Sequence, residues 1–484
     1  MVQSSGTKTK LRPIDDYSES RVNQAFGYAD KIDLRALDEL ITSAKAWVTA
    51  VQGCGKIEFT LADGTVLSGR RHPAWDDLES RRLLVTALDL KNAYKQFPLS
   101  PASRALAVLL LREPAGSEVF GFEAAALPFG STASVCHFNR VARLLRAIGS
   151  HLHLLWFNYF DDYPILSPSV LSRSSDVTME VLTQLLGFQC SWDKYSPFAL
   201  LSTMLGVEVD LTDCEGEGIR VRNKEGRARS IAEVIANHVR QGVIDVKDLL
   251  VLLGRVQFSD AQVMGRSGRL AMAEIRRWSK GHLRQVTLSS TLVDAFGVLA
   301  ERLSSGAPRC IPCGVPAAPV LIFTDGASEP TGHTIGGVLV SPYEDSPRFF
   351  ACSVPEDLVR VWSQDLKHLI GPVEGFAAVV ARLVWHDILV GQKCLHFIDN
   401  YAVQDALVKG TSTSKVLCEL LLAYERLELQ GHSWTWYSRV PSTSNVSDEP
   451  SRGCGSGIIS RLGAVRDSCI CPLSGVSLDD LQLT

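Results

Sequence analysis

The sequence predicts a multidomain chain of mixed α+β and α/β class, on three observations. Apolar runs rich in β-formers recur along it and end on an acid: Leu83 to Asp89, Val320 to Asp325 and Cys394 to Asp399. The run Tyr159-Phe160-Asp161-Asp162 lies between the apolar stretch Leu152 to Phe157 and the extended segment Tyr163 to Leu166, which reads as the tight turn of a β-hairpin. A stretch rich in Pro, Gly, Ala and Ser, Ser304 to Pro319, separates two halves with their own acidic patterns. At 484 residues, 46% hydrophobic and 21% charged, the chain has material for two to four domains with sizeable cores.

The acids carry the chemistry. Adjacent carboxylates repel, and half-buried they persist as anions mainly when cations neutralise them, so Asp161-Asp162 points to a divalent metal site. An exposed Asp-Asp turn is the plain alternative for the tetrapeptide alone. Asp89, delivered by a buried strand, is its natural partner. Three carboxylates from two neighbouring strands can hold two Mg²⁺ ions roughly 3.5 to 4 Å apart, one at an attacking 3′-hydroxyl and one at the leaving pyrophosphate. Such a site makes phosphodiester bonds.

These strings occur in an order that resembles the reverse transcriptases of retrotransposons. Asp89-Leu90-Lys91-Asn92-Ala93-Tyr94 is similar to the family's first palm motif, Leu127 to Ser134 to the second and Tyr159 to Asp162 to the third. Leu185-Leu186-Gly187-Phe188 with Asp193-Lys194 resembles the fourth, and Leu205-Gly206-Val207 the primer-grip region. Upstream, Lys10 to Tyr17 with Asn23 resembles the fingers motif. The resemblance implies a right-hand polymerase of fingers, palm and helical thumb, with Asp89, Asp161 and Asp162 holding Mg²⁺ or Mn²⁺. RNA template, DNA primer and deoxynucleoside triphosphates would be its partners. The strings Arg12 to Asp16 and Leu252 to Phe258 look more like the DIRS-like lineage than the Gypsy-type one.

Each motif also has its own physical reading. Lys10 and Arg12 are two apart, so on an extended segment they share a face and can grip a triphosphate; alone they would be a solvated pair. Tyr94 lies past the strand end, where its ring can pack under the incoming sugar and exclude a 2′-hydroxyl; otherwise it is a core tyrosine. Pro128 fixes the approach of Phe129, Gly130 lets backbone come close to a base or sugar, and the following Ser/Thr cluster can cap a helix starting near Ala133. Lys194 can stabilise the pyrophosphate, although exposed lysines are commoner.

The second half holds another acidic set. Asp325 ends one strand, Gly336 to Val340 reads as a strand returning beside it, Glu374 begins the helical run to Val390, Asp399 ends a third strand, and Asp448 follows the strand Ser433 to Arg439. Singly, each is a surface carboxylate. As a set, Thr324-Asp325-Gly326, Glu374, Ile398-Asp399-Asn400 and Asn445 to Arg452 resemble the type 1 ribonuclease H fold. That resemblance implies two Mg²⁺ ions held by the four acids and cleavage of the RNA strand of an RNA–DNA hybrid.

Composition adds bounds. A net charge of −4 and a pI near 6.3 sit awkwardly with nucleic-acid binding. From Glu215 to Gln285, however, 14 Lys/Arg face 8 Asp/Glu, with Arg266, Arg269, Arg276 and Arg277 at helical spacings, the pattern of a phosphate grip or of a solvated helix face. The 12 cysteines are scattered and read as reduced core thiols; Cys310-Ile311-Pro312-Cys313 has zinc-ligand spacing without a matching second pair. The chain has no membrane-spanning run and an expected intracellular location.

The expected organisation is fingers and palm over residues 1–210, a helical thumb or connection over 211–303, a linker at 304–317, a ribonuclease H-like domain over 318–455 and a partly disordered tail from 456 to 484. The fingers are short, Asp63-Gly64 marks a hairpin turn in an insertion-like stretch, and no protease, integrase or zinc-knuckle signature accompanies them. A piece of a retroelement polyprotein, working with other retroelement proteins, fits that pattern. The alternative function is a catalytically inactive or domesticated nucleic-acid-binding relic, which the short fingers favour and the full set of carboxylates opposes.

Overall fold

The computed structural model describes residues 2–468, apart from 6–7, 12–13, 18, 28–31, 33, 53–54, 115, 262, 264–267, 280–283, 306–307, 314–317 and 331. The chain divides into two compact units, one of Met1–Lys224 with Pro308–Val315, the other of Glu225–Ala307 with Pro316–Thr484.

In the first unit, strand Leu83–Asp89 pairs antiparallel with Asp162–Pro168, which also takes up the short strand Leu155–Trp156. Their apolar residues are largely buried because helices Thr132–His151 and Ser172–Leu185 pack over them, with Phe138, Ala142, Leu145, Met179 and Leu182 reaching Leu88, Tyr163 and Ile165. Tyr163 keeps its hydroxyl satisfied on the carbonyl of Ala142 at 3.0 Å, and the Trp156 indole donates to Arg146 O at 2.8 Å. The expected hairpin around Asp63-Gly64 is present as Lys56–Thr60 and Val66–Arg70.

A second sheet of this unit runs Leu201–Met204, Val207–Asp210, Ile219–Asn223 and Arg309–Ile311. Its last strand lies inside the stretch read from composition as a linker. Arg309, Cys310 and Ile311 pair with Val221, Arg220 and Ile219. Pairing partners distant in sequence hold it, which local composition does not encode.

The second unit has a six-stranded sheet, numbered here β1 Val320–Glu329, β2 Gly332–Val340, β3 Arg348–Ser353, β4 Lys393–Ile398, β5 Trp434–Arg439 and β6 Val465–Arg466. Its order is β5-β4-β1-β2-β3-β6, with β4 parallel to both β1 and β5, and β2 antiparallel to β1 and β3. Helix Ile370–Val384 is buried along most of its length, as its Ala- and Val-rich sequence requires, between the sheet and helix Lys415–Gln430. The helices Arg227–Gln241, Val246–Ala261, Arg269–Ser279 and Ser290–Ser305 belong to this same unit and share its core. The segment after residue 455, expected as tail, continues the fold with helix Ser456–Leu462 and strand β6, while residues 469–484 lie outside the described ones.

A buried polar pin joins sheet and helices. Arg382, 3% exposed, donates to Tyr424 Oη at 3.0 Å and Ser433 Oγ at 2.7 Å, contacts Thr435 and pairs with Glu428 at 3.6 Å. Beside it His396, fully buried, bridges Thr324 Oγ1 at 2.8 Å and Tyr424 Oη at 3.3 Å; burial and then the Arg382 charge push its pKa down to about 3, so it is neutral. Arg382→Ala removes the cation and leaves Glu428 and the hydroxyls buried without it. We expect a loss of about 3–5 kcal/mol in denaturant unfolding, against under about 0.5 kcal/mol for the exposed Arg360→Ala. Similar midpoints for the two variants would show that the pin does not support the unit.

Candidate metal centre

Register brings the acids of the second unit together. In the parallel pair β1/β4, Thr324 lies opposite Ile398, so Asp325 and Asp399, each the next residue, emerge side by side. Asp399 follows the end of β4, as read from sequence. Strand β1 does not end at Asp325 but continues to Glu329, because β2 pairs with it along its whole second half. Glu374 sits in the second turn of the buried helix Ile370–Val384, rather than at a helix start. Among the described residues, carboxylate oxygens of Asp325, Glu374 and Asp399 all lie within 4.8 Å of one another.

The surroundings are largely buried and sparing of partners. Asp325 and Glu374 are 5% and 6% exposed. Ser451 Oγ donates to Asp325 Oδ2 at 2.8 Å, and Asn400 Nδ2 to Glu374 Oε1 at 3.1 Å. Glu374 Oε2 and Asp399 Oδ1 are buried with no hydrogen-bond partner. Burial foremost, with the neighbouring carboxylates adding to it, pushes the Glu374 pKa up to about 8 and that of Asp325 up to about 6. Orphaned buried oxygens in an all-carboxylate donor set fit a hard divalent cation such as Mg²⁺ or Mn²⁺.

Asp448, the fourth acid of the sequence reading, is not part of this group. It opens the short helix Asp448–Ser451, where Arg452 holds it at 3.1 Å while also reaching Glu329 at 3.2 Å. Its charge is felt at Asp325.

In the first unit Asp89 and Asp162 are direct partners across the strand pair, and Asp161 occupies the hairpin turn closed by Tyr159 N to Asp162 O at 2.8 Å and Asp162 N to Tyr159 O at 3.0 Å. Phe160 adopts a left-handed φ of 52° to make that turn. Burial, followed by Asp161 and Asp89, pushes the Asp162 pKa up to about 7. These three acids do not form a converging ligand group, and Lys194 donates to Asp89 Oδ2 at 3.0 Å. They therefore fit a metal less well than the other set.

The remaining sequence candidates take definite places. Tyr94 is half-buried, its ring against Phe129 at 5.1 Å and Phe138 at 4.8 Å, and burial, with Asp161 next, pushes its pKa up to about 12. Gly130 has φ 94°, and a Cβ there would meet Asp15 O at 2.0 Å. Asn23 secures this approach by donating to Gly130 O and accepting from Thr132 N, each at 2.9 Å. Lys10 lies in strand Lys8–Leu11; its side chain and Arg12 lie outside the described residues. Three arginines of the basic segment are paired locally: Arg220 with Glu217 and Asp210, Arg222 with Glu208, Arg277 with Glu274. A count of charges missed that pairing, and Arg266 lies outside the described residues. No helix among the described residues is long and apolar enough to cross a membrane. Spacing alone did not assign roles to Asn400 and Ser451, although both fall inside the quoted strings.

No family model and no curated protein matches the chain. Similar solved structures include the foamy viral protease-reverse transcriptase dRH in complex with double-stranded DNA, at 14% identity and TM-score 0.37, covering 79% of this chain and 64% of that one. The foamy viral protease-reverse transcriptase with RNA/DNA hybrid is 13% identical, with TM-score 0.38, 81% of this chain covered and 50% of that one. RNase H1 from Halobacterium salinarum NRC-1 is 18% identical, with TM-score 0.22, covering 28% of this chain and all 100% of that one. The chain thus spans about two thirds and half of the lengths of the first two. These likenesses do not bear on a DIRS-like lineage, and the chemistry rests on the chain's own side chains.

The raised carboxyl pKa values fix the sign of a pH effect. A carboxyl whose folded pKa exceeds its unfolded value binds more protons when folded, so its contribution to stability is full below the unfolded pKa and is lost as pH rises through the folded one. In EDTA, the melting-temperature advantage of wild type over Glu374→Gln should therefore shrink between about pH 5 and about pH 8. Mg²⁺ should raise the wild-type value more at the upper end of that range. An advantage that grows with pH in EDTA would contradict the buried-carboxyl account.

Proposed function

We propose that the chain is an RNA-directed DNA polymerase joined to a ribonuclease H, from a retroelement with DIRS-like strings, working on RNA template, DNA primer, deoxynucleoside triphosphates and RNA–DNA hybrid. The observation that carries the nuclease half is the convergence of Asp325, Glu374 and Asp399, the first two buried and two of the oxygens without a hydrogen-bond partner. Asp325, Glu374 and Asp399 would hold a divalent ion, which would lower the pKa of a bound water and offset charge on a phosphate. The chain's own part is to exclude bulk water with the helix Ile370–Val384, to keep three carboxylates at fixed separations, and to present Asp399 at the half-exposed end of β4. Asp448, loosely held by an exposed arginine, can join once a substrate or ion competes for it.

The polymerase half rests on Asp89 and Asp162 facing each other across the strand pair with Asp161 in the adjoining turn, and on Tyr94, edge-on to Phe129, as the proposed sugar-facing wall with Gly130. Lys10, Arg12 and Lys194 are the proposed phosphate contacts. A second reading has support of its own: the palm acids do not converge and Lys194 occupies Asp89, as in a relic that binds nucleic acid without polymerising.

Primer extension on poly(rA)·oligo(dT) and cleavage of a labelled hybrid separate these readings. Asp161→Asn should lower extension by several orders of magnitude and spare hybrid cleavage, and Asp399→Asn should do the reverse. Tyr94→Ala should admit ribonucleotides while keeping some deoxyribonucleotide incorporation. Wild type that binds primer-template tightly yet extends nothing with Mg²⁺ or Mn²⁺ would establish the relic reading for the palm.

A further inference from the structure

We infer that Asn400 and Ser451 are positioning residues of the acidic centre, each holding one oxygen of a buried carboxylate so that its other oxygen is turned to a shared divalent cation. This rests on reading the centre as a metal site.

The orientation of Asn400 is decided by the fold rather than by the carboxylate. Its Oδ1 accepts from Ala402 N at 2.9 Å and Val403 N at 3.2 Å, capping helix Tyr401–Lys409. With Oδ1 so used, Nδ2 is left to face Glu374, and it donates to Oε1 at 3.1 Å. The opposite oxygen, Oε2, is the orphaned one. An ordinary cap would be served by serine or aspartate, but only an amide both caps and donates at this reach.

Ser451 is fixed just as independently. It is 1% exposed, its carbonyl accepts from Thr334 Oγ1 at 2.6 Å, and its amide lies over Gly336, where a Cβ would stand 2.3 Å from Ser451 N. The hydroxyl is thereby held under Asp325, with Asp325 Oδ2 and the Asp448 carbonyl as acceptors, each at 2.8 Å; the charged carboxylate is the stronger acceptor for its one proton. Both donors are neutral. They orient anions without neutralising them, leaving the negative charge available to an ion.

Mg²⁺ alone, titrated into the full chain by calorimetry, tests this without any need for catalysis. The binding step that Asp399→Asn removes is assigned to this centre. Asn400→Ser keeps a capping oxygen and loses the amide donor, and we expect it to weaken that step about 10- to 100-fold with little change in melting temperature. Asn400→Asp, which caps but turns an acceptor to Glu374, should weaken it further. Ser451→Ala should weaken it by a similar factor; if that variant does not fold, the Asn400 pair decides. Wild-type affinity in Asn400→Ser, with only Asn400→Ala impaired, would reduce Asn400 to a helix cap and overturn the proposal. If wild type itself binds no Mg²⁺, the metal reading fails first. If it binds Mg²⁺ but cleaves no hybrid, the nuclease reading fails while the positioning roles stand.

Discussion

Carboxylates forced together by strand register are the constraint on which the rest of the C-terminal unit depends. Parallel pairing of β1 and β4, with Thr324 against Ile398, leaves no freedom in where Asp325 and Asp399 emerge. A buried helix then lays Glu374 between them. Such crowding is costly in a dry site, and the folded chain tolerates it because Glu374 and Asp325 are protonated more readily there than in water. The apolar packing of Ile370–Val384 and the Arg382 pin behind it supply the rigidity that holds like charges in place.

The two acidic sites meet the same difficulty differently. In the first unit, cross-strand acids Asp89 and Asp162 are relieved by a cation, since Lys194 donates to Asp89 and lowers the repulsion felt at Asp162. In the second, relief comes from neutral donors, an amide and a hydroxyl. A lysine can leave an exposed position at small cost, because exposed ion pairs are worth only about 0–1 kcal/mol. An amide locked as a helix cap stays. The first arrangement is therefore exchangeable, and the second preorganised.

Acids and their strands were legible in the sequence because local pattern encodes them. The apolar run into Asp89, the acidic hairpin at Tyr159 to Asp162 and the run into Asp399 all correspond to elements at those places. What pairing at a distance decides was not legible. Strand β1 runs past Asp325 because Gly332–Glu329 and the pairs before it continue the ladder. Arg309–Ile311 is a strand only because Ile219–Val221 stands beside it, and residues 456–466 fold because Arg348 and Phe349 accept β6 at the sheet edge. Within the basic segment after Glu215, Arg220, Arg222 and Arg277 are paired to Asp210, Glu208 and Glu274, partners that a running count cannot assign.

Asp448 shows how exposure separates the members of one motif. Sequence places it with the other three acids, and its charge reaches Asp325, yet its own carboxylate is half in water and faces Arg452. Water screening makes that pair weak, whereas the oxygens of Glu374 and Asp399 that lack a hydrogen-bond partner are buried, so they must be relieved either by a proton on Glu374 or by a cation. On the proposed metal reading, a cation would gain most at the buried three, and Asp448 would need only to release an exposed arginine to follow. Arg452 also reaches Glu329, on the very extension of β1 that the sequence pattern left out, a second exposed and equally weak contact.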